Sequence, residues 1–243
     1  MPTLVAKTFR LWTMGALCAL FALGICLKVF QDVDRSKKHG DLVAKIVASQ
    51  VDILKNESVT DQALEQIPAL PDDSLQLESW LIARLMRDRD PLQVSRYLEE
   101  MTAKSSLSMN LRVSLARWKE ALSRWAYWLQ NESQFSAEDL LREGRIIHAE
   151  ASGYRKIGKS YDAVPLYVWS IYVLASFVER FSYDEQVPEA LFLLGDSYFR
   201  LRLALPAQVR SDRILNLCPE FYPHSVWANQ SNSLWRSEMS YGI

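Results

Sequence analysis

Between positions 108 and 130 the apolar residues Leu111, Leu115, Trp118, Leu122, Trp125 and Leu129 recur in steps of four and three. That spacing draws one apolar stripe along a helix of 3.6 residues per turn, while Arg112, Lys119 and Arg124 fall on other faces. A half-buried strand needs strict alternation, and no stretch of this chain alternates convincingly between Gly or Asn-Gly turns. Gly is also scarce, 8 of 243 residues, too few for a turn-rich sandwich or for phosphate-cradling loops. The stripe therefore predicts a long amphipathic helix whose tryptophans pack a core, and the fold class expected is all-α.

The rest of the chain reads the same way. Leu42, Ile46, Val47, Val51 and Leu54 have helical spacing, and Thr60-Asp61 can cap a short helix. Pro71-Asp72-Asp73-Ser74 offers capping chemistry to a helix carrying Leu77, Trp80, Leu81, Ala83 and Leu85. Asp90-Pro91 starts the next, with Leu92, Val94, Tyr97 and Leu98, because proline is tolerated at a first helical position. Ser136 caps a helix reaching about 158. The run 161–181 is apolar all round, so it should lie between neighbours, with Pro165 early in it or bending it. Further helices are expected from Pro188 to about 203, over 206–217 and over 225–239. Together they make successive antiparallel hairpins.

The amino-terminal region has a different character. Seventeen uncharged residues, LWTMGALCALFALGICL, separate Arg10 from Lys28. With Val29 and Phe30, and Lys28 reaching for the headgroups, the span 11–30 is ~30 Å long at ~1.5 Å per residue, the thickness of a bilayer core. Trp12 stands where an interfacial anchor belongs. A cleaved signal peptide is the competing reading, but no small-x-small cleavage pattern follows, and Ile25 and Leu17 before the two cysteines do not fit a lipoprotein signal. The expected layout is a tail at 1–10, a transmembrane signal anchor at 11–30, a juxtamembrane helix or linker at 31–59 and a helical domain at 60–243. Lys28, Arg35, Lys37, Lys38 and Lys45 outnumber Lys7 and Arg10, which favours a cytoplasmic domain. Carrying a short basic tail across the membrane is costly, however, and on that ground the domain is expected outside the cytoplasm, as in a single-pass inner-membrane protein facing the periplasm. Gly15 with Ala19, and Cys18 with Ala22, have the spacing that lets such helices self-associate.

The charge balance, 28 Lys+Arg against 29 Asp+Glu, gives no reason to expect nucleic acid as a partner. Cys218 stands alone outside the apolar run, so no CxxC pair offers a zinc or redox site. His148 has no second histidine at i+4, His39 and His224 lie far from it in sequence, and no GxSxG elbow occurs. Neighbouring carboxylates such as Glu99-Glu100 and Asp72-Asp73 do not face each other on a helix. No catalytic residue, no cofactor and no metal ligand is assigned, and the chain is not expected to be an enzyme.

Counted from Pro188, the residues Leu191, Leu194, Gly195, Tyr198, Ala207 and Pro219 fall at signature positions of a 34-residue helix pair. The segment 188–221 thus resembles a tetratricopeptide repeat (TPR), with Ser211 and Ile214 as departures. A weaker unit, 144–181, matches at Tyr154, Gly158, Ala163 and Tyr167, with small residues at Ala151 and Ser170, but has no closing proline. The segment from Phe221 to Trp235 looks like the junction between repeats in bacterial envelope members of that family. The resemblance implies a TPR-like α-solenoid of antiparallel hairpins, in which Gly195 and Ala207 let two backbones approach and Pro219 stops the second helix. It implies no catalysis; it implies a concave face that binds other proteins. The residues assigned to that face are Arg145, Tyr154, Phe199 and Arg200, on the first helices of the pairs. Trp227 and Trp235, on a capping helix at 225–239, are either packing residues or partner anchors.

The function expected is that of a membrane-anchored scaffold or adaptor in assembly of a cell-envelope complex. The rival reading is a structural accessory subunit of a large membrane machine, such as a motor, secretion or respiratory assembly.

Overall fold

The computed structural model describes residues 25, 28, 29, 31, 34, 36–53, 78, 80–85, 90–104, 109–205 and 210–239. Contacts divide the chain into two units, Met1–Leu42 and Val43–Ile243. In the first, every described residue is helical. The anchor expected at 11–30 lies outside the described residues except for Ile25, Lys28 and Val29, all exposed. Ala207 and the capping pair Thr60-Asp61 also lie outside them.

The second unit is all helical, with no strand among the described residues. We number seven of its helices: α1 (Pro91–Lys104), α2 (Met109–Leu129), α3 (Ala137–Lys156), α4 (Val164–Arg180), α5 (Val187–Leu201), α6 (Ser211–Phe221) and α7 (Val226–Met239). Consecutive helices pack on one another from α3 to α7, as do α1 and α2; α2 also meets α4, α3 meets α5, and α7 meets α5.

Local chemistry sets the boundaries. At the start of α3, Ser136 Oγ accepts from Asp139 N at 3.2 Å, and Asp139 Oδ2 accepts from Ser136 N at 3.2 Å, a reciprocal capping box. The Ser136 hydroxyl, donating to Asp139 Oδ2 at 2.6 Å, and then the Ser136 N–H hold the Asp139 carboxyl below its ordinary range. At the other end Gly158 adopts φ 76°, and Lys159 N donates to Tyr154 O at 2.9 Å while Gly158 N donates to Arg155 O at 3.0 Å. This is the left-handed closure that glycine permits without steric cost. Pro165 and Pro188 sit in the first turns of α4 and α5, where a missing N–H leaves no bond unmade.

The α2 stripe is core: Leu115, Trp118, Leu122 and Trp125 are buried, and Trp118 Nε1 donates to Tyr161 O at 3.0 Å. Trp125 and Trp169 stack with centroids 6.3 Å apart. The stretch Ser160–Arg180 is apolar and long enough to cross a membrane, yet 83% of its most apolar window is buried inside the fold. It is buried nearly all round because α3, α5 and α2 cover it.

Three expectations need correction. At 43–53 the buried residues are Val43, Val47, Gln50 and Val51, whereas Leu42 is exposed and Ile46 half-buried. Leu42 and Val43 each begin an i, i+4 series, and sequence alone cannot choose between adjacent series. Pro219 lies inside α6, which runs on to Phe221. Proline restricts the residue before it and removes one N–H, but its own φ is helical, so the final turn completes. The 3-10 turn Ser160–Ala163 precedes α4, so the continuous helix expected from 161 begins at Val164.

Two glycines set helix separations. A Cβ at Gly195 would lie 2.7 Å from Leu215 Cα, so α5 and α6 approach backbone to backbone there. A Cβ at Gly144 would lie 2.5 Å from Leu174 Cδ2, a side-chain contact between α3 and α4. The partner of Gly195 in this close approach is therefore the main chain of Leu215.

Candidate functional site

The residues assigned to a binding face occupy two helices that touch: Arg145 and Tyr154 on α3, Phe199 and Arg200 on α5. Arg145 grips Glu189 through Nε to Oε1 at 2.5 Å and Nη2 to Oε2 at 2.6 Å, and its Nη2 also reaches Gln186 Oε1 at 3.1 Å. That bidentate bond holds the guanidinium firmly charged. Arg200 Nε lies 2.8 Å from Asp196 Oδ1, and Asp196 Oδ2 lies 2.8 Å from His148 Nε2. His148 and Asp196 are both buried, and Tyr167 presents an edge contact to the imidazole at 6.0 Å. The hydrogen bond between His148 and Asp196 ties α3 to α5, and Arg200, one turn on from Asp196 in α5, sets its charge beside the same carboxylate.

Tyr154 is half-buried under Arg117, whose guanidinium stands 5.7 Å from its ring centre and pairs with the buried carboxylate of Asp162. Phe199 is buried, with Trp235 at 6.2 Å and the Arg202 guanidinium at 4.1 Å. Trp227 stacks on Phe192 at 5.4 Å. Both tryptophans of α7 thus pack along α5. The six residues are distributed over interhelical ties rather than gathered round one cavity.

A concave site does exist elsewhere. Along α2, the connection to α3, α3 itself and α4, the surface encloses a groove of about 510 Å³. Trp128 and Trp169 wall it, their centroids 6.5 Å apart and nearly perpendicular, and Phe135 leans on Trp128 at 5.2 Å. Tyr127, 73% exposed, stands at its rim. The wall is braced from behind. Glu132 accepts from Tyr172 Oη and Ser176 Oγ, each at 3.0 Å, and Arg180 Nη2 donates to Phe135 O at 2.9 Å.

The polar groups of the groove divide sharply. Arg124 donates to both carboxylate oxygens of Glu150 at 3.0 Å, which raises its pKa, and its guanidinium lies 5.6 Å from the Trp169 ring centre. Glu143 is half-buried and makes no hydrogen bond or ion pair with a described residue; burial pushes its carboxyl up. Trp169, 2% exposed, has an indole N–H without an acceptor among the described residues. Apolar walls with a few convergent polar points bind through area and orientation. No group of three or more His, Cys, Asp or Glu able to hold a metal occurs among the described residues.

The sequence assigned no role to this groove. One signal was present: Trp128 lies three residues beyond Trp125, so the stripe widens on to a second face at its carboxyl-terminal end. Comparison with protein-family models, with curated proteins and with solved structures finds no match.

Proposed function

We propose that this chain is a membrane-tethered helical scaffold that captures a partner polypeptide during assembly of a cell-envelope complex. The apolar run at 11–30 is the tether, holding the helical domain at high local concentration beside the membrane on its extracytoplasmic face. The observation that carries the reading is the braced aromatic groove of α2, α3 and α4, with Tyr127 exposed at its rim. Aromatic side chains in concave, partly desolvated settings dominate protein interfaces. The TPR-like register supports the same reading through Gly195, whose missing Cβ sets the α5–α6 approach, and through Tyr198, buried beside it.

The test is chemical crosslinking of the full-length chain in its own membranes, with linkage sites mapped by mass spectrometry. A scaffold gives links from α2 and α3 to one defined polypeptide, and Trp128→Ala with Tyr127→Ala removes them. Absence of any such polypeptide, or links indifferent to both substitutions, contradicts the proposal.

A further inference from the structure

The proposed function leaves the chemistry of the partner open, and the groove narrows it. We propose that the groove receives a cationic side chain, lysine or arginine, of the partner polypeptide, with Glu143 as its counter-ion and the rings of Tyr127, Trp128 and Trp169 around its stem. This assignment rests on the docking reading above and specifies its ligand.

Two cations stand near Glu143, and both are committed elsewhere: Arg124 to Glu150 through two 3.0 Å bonds, and Arg142 to Asp139 at 2.7 Å. Both act on the Glu143 carboxylate only through space, and no described residue is hydrogen-bonded or ion-paired to it. A half-buried carboxylate loses hydration that only a cation or a strong donor restores. An anionic ligand would meet repulsion there, and a purely apolar one would bury Glu143 further without compensation.

The walls favour the same class of ligand. The π-face of an indole attracts cations, and ammonium or guanidinium groups within about 6 Å of a ring centroid gain from it. Trp169 already carries the Arg124 guanidinium at 5.6 Å, so the ligand's charged end goes to Glu143 and only its apolar stem lies against that ring. Lysine and arginine add an apolar stem that suits aromatic walls while the charged end seeks a carboxylate. A volume of about 510 Å³ accommodates such a side chain with flanking backbone.

The test uses the full chain, 15N-labelled in a non-ionic detergent, with the indole signals of Trp128 and Trp169 identified from Trp→Phe variants. Three probes are titrated: acetyl-Ala-Ala-Lys-Ala-Ala-amide, the same peptide with norleucine replacing lysine, and glycerophosphocholine. The lysine peptide should shift both indole signals saturably, whereas the norleucine peptide should leave them in place. Glu143→Gln should weaken the lysine peptide about tenfold, in line with loss of one partly screened charge pair, and Glu143→Lys should abolish binding with the circular dichroism spectrum unchanged. Equal shifts from norleucine, tighter binding of glycerophosphocholine, indifference to Glu143→Gln or no binding of the lysine peptide would each overturn the assignment. If the peptide fails while crosslinks still map to the groove, the scaffold reading stands and the cationic ligand falls. If both fail, both readings fall.

Discussion

Glu143 and Arg145 stand two residues apart on α3, so they face different sides of the helix. Arg145 meets α5 and is bound by both oxygens of Glu189, a few residues from the continuous set His148–Asp196–Arg200. Glu143 meets the groove and is bound by no described residue, beside a tryptophan whose N–H also lacks an acceptor. One side of α3 has used its charges to fix how helices pack. The other retains an unpaired carboxylate in a cavity braced from behind by Glu132 and Arg180. Charges paired within the fold specify structure, even where, as at Asp196 Oδ1, an ion pair is made without a hydrogen bond; a charge left unpaired in a rigid setting is available to a ligand.

The contrast can be broken by mutation, beginning with the satisfied side. Asp196→Ala leaves His148 and Arg200 facing each other without their carboxylate, and should cost about 3 kcal/mol in urea unfolding. A cost below about 1 kcal/mol would mean that the network does not hold α3 to α5. Gly195→Ala comes next, at about 1–3 kcal/mol, because its Cβ meets the Leu215 main chain, which has little freedom to yield. Gly144→Ala meets the Leu174 side chain, Cδ2 and Cγ, rather than main chain, and should cost less than Gly195→Ala in the same assay because a side chain can turn aside. The reverse order would show that side-chain crowding, not backbone approach, limits these helix pairs.

A second half-buried carboxylate sharpens the comparison through pH. Burial pushes Glu78 up to about 7. The folded chain then binds this proton more tightly than the unfolded chain, so stability is fully present below the ordinary glutamate pKa and declines as pH rises toward 7. Glu78→Gln should flatten that decline in urea midpoints measured between pH 4.5 and 7.5, and an unchanged slope would reject it. The smallest effect expected is at Gly153, which lies in α3 with open space where a Cβ would be. Gly153→Ala should raise stability by about 0.5–1 kcal/mol through helix propensity alone, and a loss in thermal midpoint would contradict that.

Local features of the fold were legible in the sequence. The α2 stripe from Leu111 to Leu129, the Ser136 cap and the prolines opening α4 and α5 act over one or two turns, where residue spacing carries the information. The choice between Leu42 and Val43 was not legible, because two apolar series overlap and only the packed core selects one. The groove was not legible either. Its parts come from α2, α3 and α4, and Glu143 is distinguished only by which partners its neighbours Arg124 and Arg142 have already taken. Arg145 illustrates the same limit: the sequence identified it as a residue of interest, but the Glu189 that engages it lies 44 positions away.

The claim that the α2–α4 groove is where another polypeptide docks is tested most directly by photocrosslinking in intact cells. A photoreactive residue is placed at position 127, at the groove, and separately at Tyr183, which is 57% exposed in the turn between α4 and α5. The account predicts one discrete protein adduct from position 127, diminished by Glu143→Lys, and none of that mass from position 183. The same adduct from both positions, or none from position 127, would contradict it.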